Sequence, residues 1–137
     1  MVFNKKFIFV GISGATCVSL GALGAHALKN KLSSGLITID QLNGFDTAVK
    51  YQMYHTLAMF LIIIIQTKFE TKLFKWAYFL FLWGIILFSG SLYFLCTRNL
   101  FNADWLKVLG PITPIGGVLF VAGWLCFAFV GIKNKLI

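Results

Sequence analysis

Residues 76–97 read WAYFLFLWGIILFSGSLYFLCT, 22 positions without a charged side chain, with Lys75 before them and Arg98 after. At a rise of about 1.5 Å per residue, a helix of that length measures about 33 Å, the depth of the hydrocarbon core of a bilayer. Backbone polar groups in lipid must be satisfied within the segment, so an apolar run of this length forms a helix and not a barrel strand. Three more apolar runs flank it, at residues 7–28, 51–67 and 111–132, each framed by basic residues. The second is short at 17 residues, and spans if Lys50 and Lys68 snorkel. The expected fold is all-α: a single four-helix transmembrane bundle with antiparallel neighbours and short loops.

Composition agrees. Of 137 residues, 59% belong to the apolar class AVILMFWYC, against about 45–50% in globular proteins. Only 12 basic and 4 acidic residues are present, which excludes a disordered polyelectrolyte and a large solvated surface. The net charge of +8 could mark a nucleic-acid binder. The lysines instead sit at the ends of apolar runs, where they reach lipid head groups, so the bilayer is the expected partner and nucleic acid is not. Cys17, Cys96 and Cys126 form an odd set without CxxC spacing, which argues against a disulfide framework or thiolate metal site. Ala25-His26-Ala27 has the small-x-small look of a signal cleavage site. The apolar run before it exceeds the usual 7–15 residues of a signal core, so it is read as a span.

The most polar region is residues 29–50. Thr38-Ile39-Asp40-Gln41 fits a capping box and marks a helix start. That helix either continues into the membrane or breaks at Asn43-Gly44 and restarts; the pattern allows both. Residues 68–75 make a tight basic link, and residues 98–110 are expected as a loop. Counting basic residues by side gives seven with the termini and five opposite, a bias that places both termini in the cytoplasm of a cell-membrane protein.

Small residues suggest where helices touch. Gly14, Cys17, Gly21 and Gly24 alternate steps of three and four along the first span, and Gly116 and Gly123 lie seven apart on the fourth. Close packing over small residues is how helices associate in lipid, so these positions are expected at helix interfaces, with Leu20 facing lipid. Polar residues gather in one half of the membrane, facing the first and third loops: His26, Tyr51, Gln52, His55, Ser89, Ser91 and Thr113. Tyr51 and His55, four apart, share a helix face that should point inward. The cluster reads either as an interhelical hydrogen-bond network that fixes register or as a ligand pocket. His26 and His55 at similar depth could also hold haem or a transition metal. No HxxxH or ExxH spacing, third ligand or carboxylate within a span supports that, and no cofactor is expected. Ser89 or Ser91 beside a histidine is a slight pointer to hydrolysis, but serines on apolar helices commonly back-bond to their own helix.

Four segments in order, GALGAH at 21–26, YQMYH at 51–55, FSGSLY at 88–93 and ITPIGG at 112–117, resemble the signature segments of the domain-of-unknown-function 423 family. The resemblance covers about residues 11–131 and implies a small four-span protein of the bacterial cell membrane. It brings no reaction, substrate or catalytic residue with it. The leading functional expectation is thus a membrane protein without an assignable reaction, acting through helix packing with itself, as a homo-oligomer, or with an envelope membrane protein. A small-molecule or ion binder or transporter built on the polar pocket comes second, and an enzyme or haem carrier third.

Overall fold

The computed structural model describes residues 5–133, without the side chain of Lys133; Lys135, counted among the basic residues near the C-terminus, lies outside the described residues. Four long helices follow one another: α1 (Lys5–Ser33), α2 (Ile39–Ile65), α3 (Lys72–Phe101) and α4 (Asp104–Ile132). Each is long and apolar enough to cross a membrane, and no strand occurs among the described residues. The four apolar runs fall within these helices, apart from Gln66 and Thr67 at the end of the second.

Local chemistry sets the ends. α1 stops at Gly35, whose φ of +74° only glycine adopts cheaply. Its amide bonds to the Leu32 carbonyl at 2.9 Å and that of Leu36 to Lys31 at 3.0 Å, a Schellman closure. Three residues on, at Thr38, the capping box is formed: the Gln41 amide donates to Thr38 Oγ1 at 3.2 Å and the Thr38 amide to Gln41 Oε1 at 2.9 Å. From there α2 runs without a break. Gly44 does not mark a turn: a Cβ there would lie 2.6 Å from Cys96 Sγ, so glycine makes room for the Cys96 side chain of α3. Residues 98–110 are wound rather than loose, into 3-10 turns Arg98–Phe101 and Asp104–Leu109.

Neither α1 nor α3 is a uniform α-helix. Gly24–Leu28 in α1 and Ile85–Ser89 in α3 form π-helical turns, each letting one extra residue into the coil.

The hairpin of α2 and α3 is central, with α1 packed on α2 and α4 on α3. The α3–α4 seam interlocks phenylalanine with glycine in both directions. A Cβ on Gly84 would come within 2.5 Å of the Phe120 ring, one on Gly123 within 2.7 Å of Phe81 Cδ1, and one on Gly116 within 2.8 Å of the Phe88 Cα. The Phe120 and Phe81 rings and the Phe88 backbone fill the space a side chain would need, which is how helices gain dispersion contacts in lipid. On α1, Cys17 and Gly24 are buried against α2 and a Cβ on Gly21 would touch Val49 at 3.4 Å, whereas Gly14 and Gly11 face nothing within 4 Å. Leu20, expected towards lipid, packs instead against the cluster of Leu28, Ile37, Phe45 and Cys96. The second core gathers Met59, Ile62, Phe81 and Phe120 among others, towards the opposite end of the bundle.

Candidate functional site

The polar residues of α2 sit on the face that meets its neighbours, because i, i+3 and i+4 positions share one side of a helix. Gln52, His55 and Thr56 are each 5% exposed or less. Gln52 is the hub. Its Nε2 donates to the Ser13 carbonyl at 2.9 Å and to Thr16 Oγ1 at 3.0 Å, while its Oε1 accepts from the Tyr93 hydroxyl at 2.6 Å. One amide thus ties α1, α2 and α3 together. Beside it Ser13 Oγ and Thr56 Oγ1 are 2.7 Å apart, and Cys17 Sγ donates to the Val49 carbonyl at 3.1 Å.

His55 makes a second node. One ring nitrogen, Nδ1, lies 2.7 Å from the Tyr51 carbonyl, and Trp124 Nε1 donates to Nε2 at 3.2 Å. A carbonyl only accepts and an indole N–H only donates, so this arrangement suits the neutral Nδ1–H tautomer. Both ring nitrogens are then engaged, and the bond to Trp124 joins α2 to α4. A third set ties α3 to both neighbours: Ser89 Oγ donates to the Ala48 carbonyl of α2 at 2.9 Å, and Ser91 Oγ lies 2.7 Å from Thr113 Oγ1 of α4.

Of the residues singled out by depth, Gln52, His55, Ser89, Ser91 and Thr113 lie at these helix contacts; Tyr51 stands 40% exposed and contributes its carbonyl. His26 is exposed on the π turn of α1. Ser89 and Ser91 bond to backbone and to Thr113, and neither is hydrogen-bonded to a histidine among the described residues. No group of three or more His, Cys, Asp or Glu that could hold a metal ion occurs among them either. Ser13, Thr16, Thr56, Tyr93 and Trp124 were not singled out from the sequence. The spacing Gln52–Thr56 and Ser13–Cys17, four residues each, was a usable signal for two of them.

Recesses open between the helices. A groove of about 800 Å³ opens sideways between α2 and α4, walled by Tyr51, Tyr54, Phe88 and Val121 with His55, Phe120 and Trp124 behind. A smaller one of about 280 Å³ lies between α1 and α2, bounded by Gly21, Gly24, Lys29, Phe45, Asp46 and Val49.

Comparison with known proteins places this architecture. The model of a family described as "Protein of unknown function (DUF423)" matches residues 20–117. A UPF0382 membrane protein of Staphylococcus epidermidis is 40% identical over 130 residues, covering 94% of this chain and 97% of that protein. Similar proteins occur in Haemophilus influenzae, 39% identical over 132 residues (96% and 97% covered), and in Bacillus subtilis, 35% over 134 residues (94% and 98%). All three carry the name UPF0382 membrane protein. No solved structure matches. With four helices able to cross a bilayer and relatives named as membrane proteins along its length, the chain is a multi-pass membrane protein and belongs to the DUF423 family.

Proposed function

We propose that the protein acts through helix packing with a second copy of itself in the cell membrane, with both termini on the cytoplasmic side. The observation that carries this reading is the outward face of α1. Gly11, Ala15, Val18 and Ala22 follow one another at helical spacing and are all exposed, and a Cβ on Gly11 would meet nothing within 4 Å. Small residues of this kind let two backbones approach closely, and lipid offers no better partner for them. The inner polar groups, meanwhile, are spent on one another.

Association is tested by cysteine crosslinking or energy transfer in liposomes. The wild-type protein should associate, Gly11→Leu with Ala15→Leu should weaken association severalfold, and Val121→Leu, on the exposed face of α4, should not. A wild-type protein monomeric at all protein-to-lipid ratios would defeat the reading. For orientation, single cysteines at Ser34 and Asn102 in a cysteine-free background should label from the outside and one at Lys68 from the cytoplasm; the reverse would overturn the charge count.

The aromatic groove beside His55 supports a second reading, a binder or carrier of a small apolar molecule. That reading expects added ligand to raise thermal stability, and Tyr51→Ala to abolish the rise. His26, exposed on α1, is not among the residues lining this groove.

A further inference from the structure

The first six residues of α4, Asp104–Leu109, form a 3-10 helix, and a coil of three residues per turn sets i and i+3 directly above one another. Three stripes result, each of one chemistry. Leu106 and Leu109 make the first, turned to α3 along Gly90–Thr97: Leu106 is 8% exposed, and Leu109 lines a recess with Gly90, Ser91 and Phe94. Asp104 and Lys107 make the second, an ion pair at 3.2 Å with both side chains exposed. Trp105 and Val108 make the third, 72% and 68% exposed. Depth decides what covers that third stripe. Phe94 and Gly90 lie three and seven residues before Thr97, the last residue of the third apolar run, hence about 5 and 11 Å inside its end. A segment packed beside them stands at that level and not in the water above.

We propose that Asp104–Leu109 is an interfacial anchor, a short helix lying against α3 whose Trp105–Val108 stripe inserts into the leaflet on the side of the first and third loops. Its partner is the lipid surface. An indole held outward at this level meets the boundary between headgroups and acyl chains, where tryptophan is enriched, and an apolar stripe beside a charged one is the pattern of helices that lie on a membrane. The opposite charges of Asp104 and Lys107 offset one another, and the long lysine stem carries its ammonium back to the polar zone. A second copy covering the same stripe would press against the neighbouring ion pair and desolvate it, whereas lipid leaves the pair among headgroups. The bilayer is then crossed by the regular α-helix that starts at Ile112. This proposal depends neither on self-association through α1 nor on which side is cytoplasmic.

The test is nitroxide scanning of the full chain in phosphatidylcholine liposomes, one cysteine at a time in a cysteine-free background. Collisions with oxygen, which concentrates among acyl chains, should exceed those with a water-soluble nickel chelate severalfold for Trp105→Cys and Val108→Cys. The order should reverse for Asp104→Cys and Lys107→Cys. A nickel preference at all four positions would place the third stripe in water and overturn the proposal. Low collision rates with both reagents at 105 and 108 would mean a protein cover, a second copy where the rates rise on dilution into lipid, and would overturn it equally. The native indole gives a reading without a label: Trp76→Phe, Trp83→Phe and Trp124→Phe together leave Trp105 as the sole tryptophan. Its emission should be quenched severalfold more by lipids brominated close to the headgroup than by acrylamide in the aqueous phase, and the opposite order would again defeat the anchor.

Discussion

The imidazole of His55 lies flat on the ring of Phe120, with centroids 3.5 Å apart and planes 7° from parallel. The same imidazole is held at its edge by Trp124, one helical turn further along α4. Together these contacts set the rotation of α4 about its own axis, since both residues must face α2 at once.

His55→Ala should therefore cost more than the loss of its hydrogen bonds. Removing a buried ring leaves a cavity, and truncations of this kind cost about 2–4 kcal/mol, whereas Trp124→Phe removes a single interhelical bond worth about 0.6 kcal/mol. Reversible unfolding in mixed micelles, followed by circular dichroism, would measure both. Equal costs would mean that the stack contributes nothing.

Glycines on α4 and α1 should respond in opposite ways to one added methyl. Gly116→Ala drives a Cβ into the Phe88 backbone, which cannot swing aside, and overpacking of this sort costs about 1–3 kcal/mol. Gly11→Ala meets open space and should leave monomer stability unchanged or raise it, by up to about 1 kcal/mol of helix propensity. The same unfolding assay distinguishes them.

The bond between Gln52 and Tyr93 can be isolated by a double-mutant cycle. Gln52→Leu and Tyr93→Phe should each destabilise, and the double variant should lose less than their sum, by a coupling of about 0.6 kcal/mol and at most about 1.7. Gln52→Leu should be the worse single change, because it also removes the bonds to Thr16 Oγ1 and the Ser13 carbonyl. Strict additivity would refute the direct bond.

At the link between α2 and α3, Lys75 hydrogen-bonds the exposed Glu70 carboxylate and holds its pKa below the usual 4.5. A carboxylate whose folded-state pKa is depressed adds stability above the unfolded value and loses it as pH falls through the folded one. Thermal stability of wild type and Glu70→Gln should differ slightly at neutral pH and converge as the carboxylate titrates in acid. Both side chains are well exposed, so the difference is small and shrinks with salt.

The spans were legible because charge is costly in lipid: Lys75 and Arg98, or Lys50 and Lys68, delimit what must be helical. The Thr38 cap was legible because its chemistry is local. What sequence could not supply was the direction in which a residue faces. His26 and His55 have similar depths, yet one is exposed and the other buried, because depth counts rise along a helix and ignores rotation about it. Gly44 looked like a turn because Asn-Gly commonly makes one, and only the approach of Cys96 explains it inside a helix. Phe120 and Trp124 carry no polar pattern, so their part in holding His55 emerges only from packing.

The π turns of α1 and α3 act as phase shifters. A regular helix advances about 100° per residue, so one extra residue in the coil rotates everything after it by that amount relative to everything before. Before its turn, α1 presents Ser13 and Cys17 to α2; beyond it, Leu28 still reaches the core, at 2% exposure. Deleting a single residue within Gly24–Leu28 would remove the extra residue and leave Lys29 and the turns beyond it facing as they do, whereas forcing all five residues into a regular coil would rotate that end of α1. The irregularity thus sets how the outer end of the helix is turned relative to the rest.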